Sequence, residues 1–294
     1  YESFCEGIEY LLDNGQHNSI HVFLCEVLPN SVMGSDEYLK RHSIKVLKRD
    51  FSLRNGMPSV GIQGKSQVII STETMSREML LKSMIFAFVI QTFHNFGLSR
   101  VVAMYFNHDK GLRYSEFYNL FIEWLLKNPD THTGKIFNEF VTRYKLSLDG
   151  KLSDTYENSA FGETQFNLSD GAFLELINTY DLFYDDIFAF LSDLSDDTQT
   201  IQELIRFQKA IMRKSENVKI QEHFVYNWVD YYINLIENGA ALLEQEDIEL
   251  QILPSDEYVA NDLVSYSKAI AIKGRRTGKS IALSDKGSYI VNKL

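Results

Sequence analysis

Residues 20–28, IHVFLCEVL, form a nearly continuous apolar run of strand length that stops at Pro29-Asn30. A run of this kind, apolar at successive and not alternating positions, predicts a strand covered on both faces, as in a parallel sheet. Immediately upstream, Phe4, Ile8, Leu11 and Leu12 recur at helical spacing and Asn14-Gly15 supplies a stop tolerant of positive φ, so residues 4–12 are expected to form a short amphipathic helix. Helix followed by buried strand is half of an α/β repeat.

Downstream, residues 30–65 are mixed and carry Gly34, Gly56, Pro58, Gly61 and Gly64, which predicts loops and short strands, and a second strand is expected over 67–72. Ser76 is a good N-cap, and residues 76–96 (SREMLLKSMIFAFVIQTFHNF) run without Pro or Gly to Gly97, where a helix C′ residue belongs. This helix is apolar on most sides and should be central. Further helices are predicted at 98–107, 114–127, 134–146, 170–194, 201–213 and 221–237, with Thr200 and Glu203 fitting a capping box. From residue 247 the pieces IELQIL, AIAIKG, SIALS and SYIV predict a small sheet or hairpin. The expected class is helix-dominated, α/β to α+β.

The 294 residues carry a formal net charge of -11 and 45% hydrophobic residues, enough for a sizeable core and unlike a chain that coats nucleic acid or an anionic membrane. Residues 149–204 hold 13 acidic residues against Lys151 alone, with apolar residues at helical spacing among them, which reads as a solvated acidic helix face. Residues 268–293 hold seven basic residues against Asp285, a candidate docking surface for an acidic partner or, without a series of stacking aromatics to support it, RNA. The longest apolar run, Met84 to Ile90, is seven residues, well short of the ~20 a membrane span needs. Two cysteines, Cys5 and Cys25, are too few for a disulfide framework or an all-cysteine metal site, and the expected location is cytoplasmic. The chain opens on Tyr1 inside an apparent helix, so a longer parent polypeptide is expected.

Gly274-Arg275-Arg276-Thr277-Gly278-Lys279-Ser280 resembles a phosphate-binding loop, but three residues separate its glycines instead of four and an apolar strand-like stretch follows. A basic hairpin turn is the favoured reading. His21 and Cys25, four residues apart, would share one side of a strand without a visible third ligand, and a core or pocket-lining role is expected for them. His94 on the apolar helix reads as a satisfied buried histidine. No GxSxG, HExxH or GxGxxG motif follows the expected strands. In parallel α/β barrels substrate groups lie where strands end. Glu26, Pro29, Asn30, Ser31 and Met33 occupy one such end, and Thr72, Glu73 and Thr74 the next; the competing reading for both is turn and capping chemistry.

The stretches HVFLCEVLPNSVMGSDEYLKRHSI and VIISTETMSREMLLKSMIFAFVIQTFHNFGLSRVVAMYF resemble the last part of the barrel and the C-terminal region of cobalamin-binding radical SAM enzymes. The opening YESFCEGIEYLLDNGQH is similar to the helix that precedes that family's final barrel strand. The resemblance implies the end of a partial (β/α) barrel over residues 1–75, a helical domain over 76–245 and a small β-containing region over 246–294. It further implies a parent protein that uses a [4Fe-4S] cluster, S-adenosylmethionine and cobalamin for a methyltransferase-like reaction on a small-molecule substrate.

The family holds its cluster through CxxxCxxC, which this chain lacks, so no cofactor is expected to be bound by this chain alone and no metal ligand or catalytic residue is assigned. The implied contribution is the final strand, the LPNSVM loop and a closing helical domain. Cys25, Glu26, Pro29, Asn30, Ser31, Met33, Thr72, Glu73 and Thr74 are the residues expected beside substrate or SAM. The expected partner is the remainder of the parent polypeptide, with neither membrane nor nucleic acid. The alternative is a non-catalytic, helix-rich interaction or oligomerisation module.

Overall fold

The computed structural model describes residues 1–50, 65–216, 218–254, 262–272, 278, 280–283 and 289–293. It is helix-dominated, with eleven α-helices and small sheets among these residues. The N-terminal helix α1 (Glu2–Asp13) buries Cys5, Ile8, Glu9 and Leu12. A short helix α2 (Asp36–Arg41), capped by Ser35, precedes an antiparallel hairpin of β1 (Lys45–Asp50) and β2 (Lys65–Ser71).

Helix α3 (Arg77–Val89) begins where expected, with the Ser76 hydroxyl accepting the Met79 N–H. It runs into a π-helical turn, Ile90–Asn95, and breaks at Gly97, whose φ is +89°. Glycine is needed here twice over: the backbone is left-handed, and a Cβ would sit 2.4 Å from Ile281 Cδ1. Helices α4 (Arg100–Lys110), α5 (Tyr114–Lys127) and α6 (His132–Leu148) then wrap α3, and Phe88 packs against Phe137, Phe140 and Tyr144 of α6. No single described helix is long and apolar enough to cross a membrane. The α3–π segment and α4, bent by 98°, pass that test only together, and most of their side chains from Phe86 onward are buried in the core.

The expected helix over 170–194 is two helices, α7 (Leu168–Asn178) and α8 (Tyr180–Ser192). Thr179 divides them: its hydroxyl turns back to the Glu175 carbonyl and meets His132 Nε2, and its backbone leaves the helical region at φ −124°. Helix α9 (Thr198–Ile211) is capped by Asp197 and not by a Thr200–Glu203 box. Glu203 is drawn elsewhere, accepting the Val225 N–H and the Trp228 indole N–H. The expected helix over 221–237 splits into β5 (Ile220–Phe224), which pairs with β6 (Ile248–Ile252), and α10 (Trp228–Asn238), started by the Asn227 cap.

In the C-terminal region IELQI of the expected IELQIL is β6, and Tyr289 to Val291 of SYIV lie in β7 (Tyr289–Lys293), Ser288 lying outside the described residues. The AIAIKG strand is corrected. Asp262 caps a short helix α11 (Leu263–Tyr266) that continues as a π-turn through Ile272, anchored by the Ser267 hydroxyl on the Phe161 carbonyl. SIALS makes a single bridge, Met212 to Ile281, and its described residues, Ser280 to Leu283, are buried.

Carboxylates within the core serve neighbouring helices. Glu9 of α1 accepts the Tyr114 and Ser115 N–H groups at 2.9 and 2.6 Å, satisfying two orphan donors at the start of α5. Asp186 of α8 takes the Thr133 N–H at the start of α6 at 2.7 Å. Part of the acidic 149–204 stretch is therefore structural capping and not a solvated face. Glu9→Ala strands both α5 donors and should cost about 2 kcal/mol. Urea unfolding should show a lower midpoint with an unchanged slope.

Candidate functional site at the end of the extended 20–28 segment

Residues 20–28 do not form the expected strand: they make one isolated bridge, Glu26 to Val68, and the expectation of burial on both faces is not met. Only Ile20 and Val27 are buried, while Phe23 and Leu28 are 59% and 65% exposed. One edge is used: Val27 N–H donates to the Gln67 carbonyl at 2.7 Å, Ile69 N–H donates to the Cys25 carbonyl at 2.9 Å, and Glu26 lies opposite Val68. The neighbouring strand β2 runs antiparallel, not parallel, because it belongs to a hairpin inserted after the 20–28 segment.

That direction separates the two predicted groups. With Glu26 opposite Val68, residues 29–33 leave at the end where β2 starts, and Thr72, Glu73 and Thr74 at the end where β2 finishes. Pro29 and Asn30 are exposed at a tight turn; Ser31 donates through N–H and hydroxyl to the Leu28 carbonyl, and Met33 is half-buried in the following 3-10 turn. Gly34 closes this turn so tightly that a Cβ would lie 2.4 Å from the Leu28 carbonyl oxygen. At the other end Thr72 accepts the Met75 N–H through its hydroxyl, and Glu73 N–H donates to the His42 carbonyl; Glu73 and Thr74 are exposed. Cys25 is an exposed free thiol.

Glu26 has a partner that no local motif announced. Its carboxylate lies 3.6 Å from the Arg49 guanidinium, which donates to Asp154 at 2.9 Å. The three residues come from the extended segment, from β1 and from the loop after α6, so only the fold brings them together. Beside them a shallow cleft is lined by Val22, Leu24, Gln91, Tyr144, Asp154 and Asn167. Its lining joins the 22–24 segment to α3 and its π-turn, to α6 and to the start of α7.

Behind the segment lies a buried polar chain. His17 Nδ1 is 2.9 Å from His94 Nε2, and His94 Nδ1 is 2.9 Å from the Tyr118 hydroxyl, which meets Ser99 at 3.3 Å. Arg100, 2% exposed, donates to the carbonyls of His94 and Asn95 and to Asn18 Oδ1, while the Asn95 amide donates to the Ile20 carbonyl at 2.7 Å. The π-turn thus anchors the entry to the 20–28 segment. Burial holds His17 down at about 3 and His94 well below the ordinary histidine value, with the Arg100 charge adding to both, and burial raises Tyr118. His94 is the satisfied core histidine expected.

His21 stacks on Phe23, and among the described residues no group of three or more His, Cys, Asp or Glu side chains could hold a metal ion. The sequence holds two cysteines, one buried near Tyr1 and one exposed, which do not fit a cluster that needs three thiolates. Of the phosphate-loop-like stretch, Gly274 to Thr277 and Lys279 lie outside the described residues. Gly278 and Ser280 are buried, the Ser280 hydroxyl donating to the Phe96 carbonyl.

Comparison with known proteins finds two curated relatives. The chain is 21% identical over 249 residues to the cobalamin-dependent radical SAM methyltransferase TokK of Streptomyces tokunonensis, covering 78% of this chain and 36% of that protein. It is 24% identical over 230 residues to the 2-(S-pantetheinyl)-carbapenam-3-carboxylate methyltransferase of Streptantibioticus cattleyicolor, covering 73% of this chain and 34% of that protein. The family resemblance holds. The two matches take in about three quarters of the chain, well beyond the motifs that first carried the likeness. The chain spans about a third of the length of the curated relatives it matches. No family model matches it.

Proposed function

We propose that this chain is the C-terminal portion of a cobalamin-dependent radical SAM enzyme, methyltransferase-like in its chemistry, and that it shapes the substrate side of the active site. The observation that carries the reading is the match to two methyltransferases over 78% and 73% of the chain. In this reading residues 1–75 supply the last helix and strand of a barrel, 76–245 a helical domain against it and 246–294 a small β region. The cofactors, bound by the rest of the parent polypeptide, supply the radical and the methyl group.

What this chain contributes is shape and polarity. The Pro29–Met33 turn, held by Ser31 and Gly34, presents Pro29 and Asn30 to the substrate side. Arg49 fixes the Glu26 carboxylate at the root of that turn. The cleft beside Val22 and Leu24 offers apolar walls with the polar groups of Gln91 and Asn167, suited to exclude water around a small-molecule substrate.

Anaerobic methyl-transfer assays on the polypeptide of the native reading frame, supplied with reductant, S-adenosylmethionine and cobalamin, test this assignment. Glu26→Ala and Asn30→Ala should each lower turnover about tenfold or more, about 1.4 kcal/mol in the barrier. Both residues are exposed, so stability should move by only about 0.5 kcal/mol. Full activity in both variants with unchanged S-adenosylmethionine binding would remove this turn from the active site.

A further inference from the structure

Residues 22–24 form one part of the cleft lining, and Asp154 in the loop after α6 belongs to the other. Among the described residues Val22 and Leu24 make no backbone hydrogen bond. Their place is therefore set by the two ends of the segment. At one end the Asn95 amide holds the Ile20 carbonyl on the π-turn, and at the other Cys25 and Val27 hang on β2. The second anchor is only as firm as the seat of the β1–β2 hairpin on the helical body.

One face of the hairpin makes that seat. Side chains two residues apart on a strand share a face, and so do residues directly opposite across antiparallel strands. Leu47 lies opposite Val68, and Val68 opposite Glu26, so Leu47, Arg49, Val68 and Glu26 lie on one face. Leu47 packs against the turn after α6, where a Cβ on Gly150 would meet its Cδ1 at 3.0 Å. Next to it the Arg49 guanidinium donates to Asp154 at 2.9 Å and lies 3.6 Å from the Glu26 carboxylate. The Arg49 and Asp154 side chains are 17% and 14% exposed, and no other ion pair among the described residues has both partners so well covered from solvent screening.

We infer that Arg49 is a positioning residue of the candidate site: by bridging Glu26 and Asp154 it clamps the 20–28 segment to the loop after α6 and fixes the width of the cleft between them. Glu26 follows the lining residues 22–24 by two positions, and Asp154 is itself part of the lining, so one guanidinium holds both parts. Arginine suits this place because its planar fork presents separate N–H groups to two carboxylates, whereas a lysine ammonium is a point charge on a flexible stem. A bound substrate is sensitive to such a support, since a small misplacement from a residue remote from the chemistry lowers the rate. The inference rests on the reading of this chain as the substrate side of a longer enzyme.

Amide hydrogen exchange on the 294-residue chain tests the clamp. The Val27 and Ile69 amides report the segment on β2, and the Gly150 and Lys151 amides, bonded to the Ser147 and Leu146 carbonyls, report the loop. Arg49→Gln should speed exchange at both pairs by about tenfold, with the α5 amides unchanged. Asp154→Asn should also speed Val27 and Ile69, on the far side of Arg49 from the substituted residue, and should add nothing in the Arg49→Gln background. Arg49→Lys, which keeps the charge and loses the fork, should recover less than half of the change. Exchange that rises at one pair alone, that adds in the double variant or that stays at wild type in Arg49→Lys overturns the inference. A rise that extends to α5 overturns it too, as a loss of stability and not of position. Methyl transfer by the polypeptide of the native reading frame is a separate readout, which Arg49→Gln should lower about tenfold with S-adenosylmethionine binding unchanged. Coupled exchange without wild-type methyl transfer keeps the clamp and sinks the functional reading, whereas methyl transfer that Arg49→Gln leaves at the wild-type rate sinks the clamp.

Discussion

Acidification from pH 7 to about 4.5 should cost the fold several kcal/mol before most carboxylates begin to titrate, and the His17–His94 pair is the cause. Both rings are buried, 5% and 0% exposed, and are held neutral with pKa values depressed below the ordinary 6.5, His17 to about 3. Burial is the largest cause; the Arg100 guanidinium adds to it for both rings, and the His17 ring adds to it for His94. Tyr114, Tyr118 and Ser99 pack around the pair without supplying a carboxylate.

Because the folded values are depressed, the unfolded chain binds protons that the folded chain refuses. Stability is therefore complete above about pH 6.5 and is lost as pH falls below it, by up to about 1.4 kcal/mol per histidine per pH unit. For the pair the slope approaches about 2.7 kcal/mol per unit until His17 titrates near 3. Urea denaturation between pH 7 and 5 measures it. His17→Asn should remove about half of the slope, and a wild-type slope near zero would mean that the rings are not buried neutral.

Phe88→Ala should destabilise by about 3–5 kcal/mol, the range for emptying a fully buried phenylalanine site. Phe88 is 1% exposed, and its ring stacks on Phe140 at 5.8 Å and 17° and meets the edge of Tyr144 at 5.5 Å. These partners sit on α6, so the vacated space lies between two rigid helices that cannot collapse independently. The aromatic pairing adds a loss beyond buried area. Phe88→Leu, which keeps most of the volume, should recover more than half of it. A melting temperature within a degree or two of wild type for Phe88→Ala would place this face in solvent.

Much of the helical scaffold is legible in the chain because its signals are local. Ser76 and Gly97 bracket the α3–π segment, Tyr114–Lys127 lies on its predicted bounds, and the family likeness is carried by contiguous stretches. The misses share one physical origin, competition from partners distant in sequence. Glu203 leaves its own helix terminus to serve Val225 and Trp228, Thr179 breaks a helical pattern through its hydroxyl and His132, and residues 220–224 abandon helix because β6 offers a ladder.

The candidate site divides in the same way. The turn at Pro29-Asn30 and its serine are written in the sequence, since turn chemistry depends on a few adjacent residues. The Glu26–Arg49–Asp154 chain is not, because its ends lie 128 positions apart and no periodicity records such a meeting. Nor does the sequence reveal that residues 29–33 and 72–74 leave opposite ends of β2, a consequence of antiparallel pairing. By itself the sequence determined a helix-dominated chain and a family resemblance, and it marked residues 20–28 as an apolar strand whose expected burial on both faces is not met. Only the tertiary structure decided which edge of that segment is filled, because strand direction and hydrogen-bond register arise when separate segments meet.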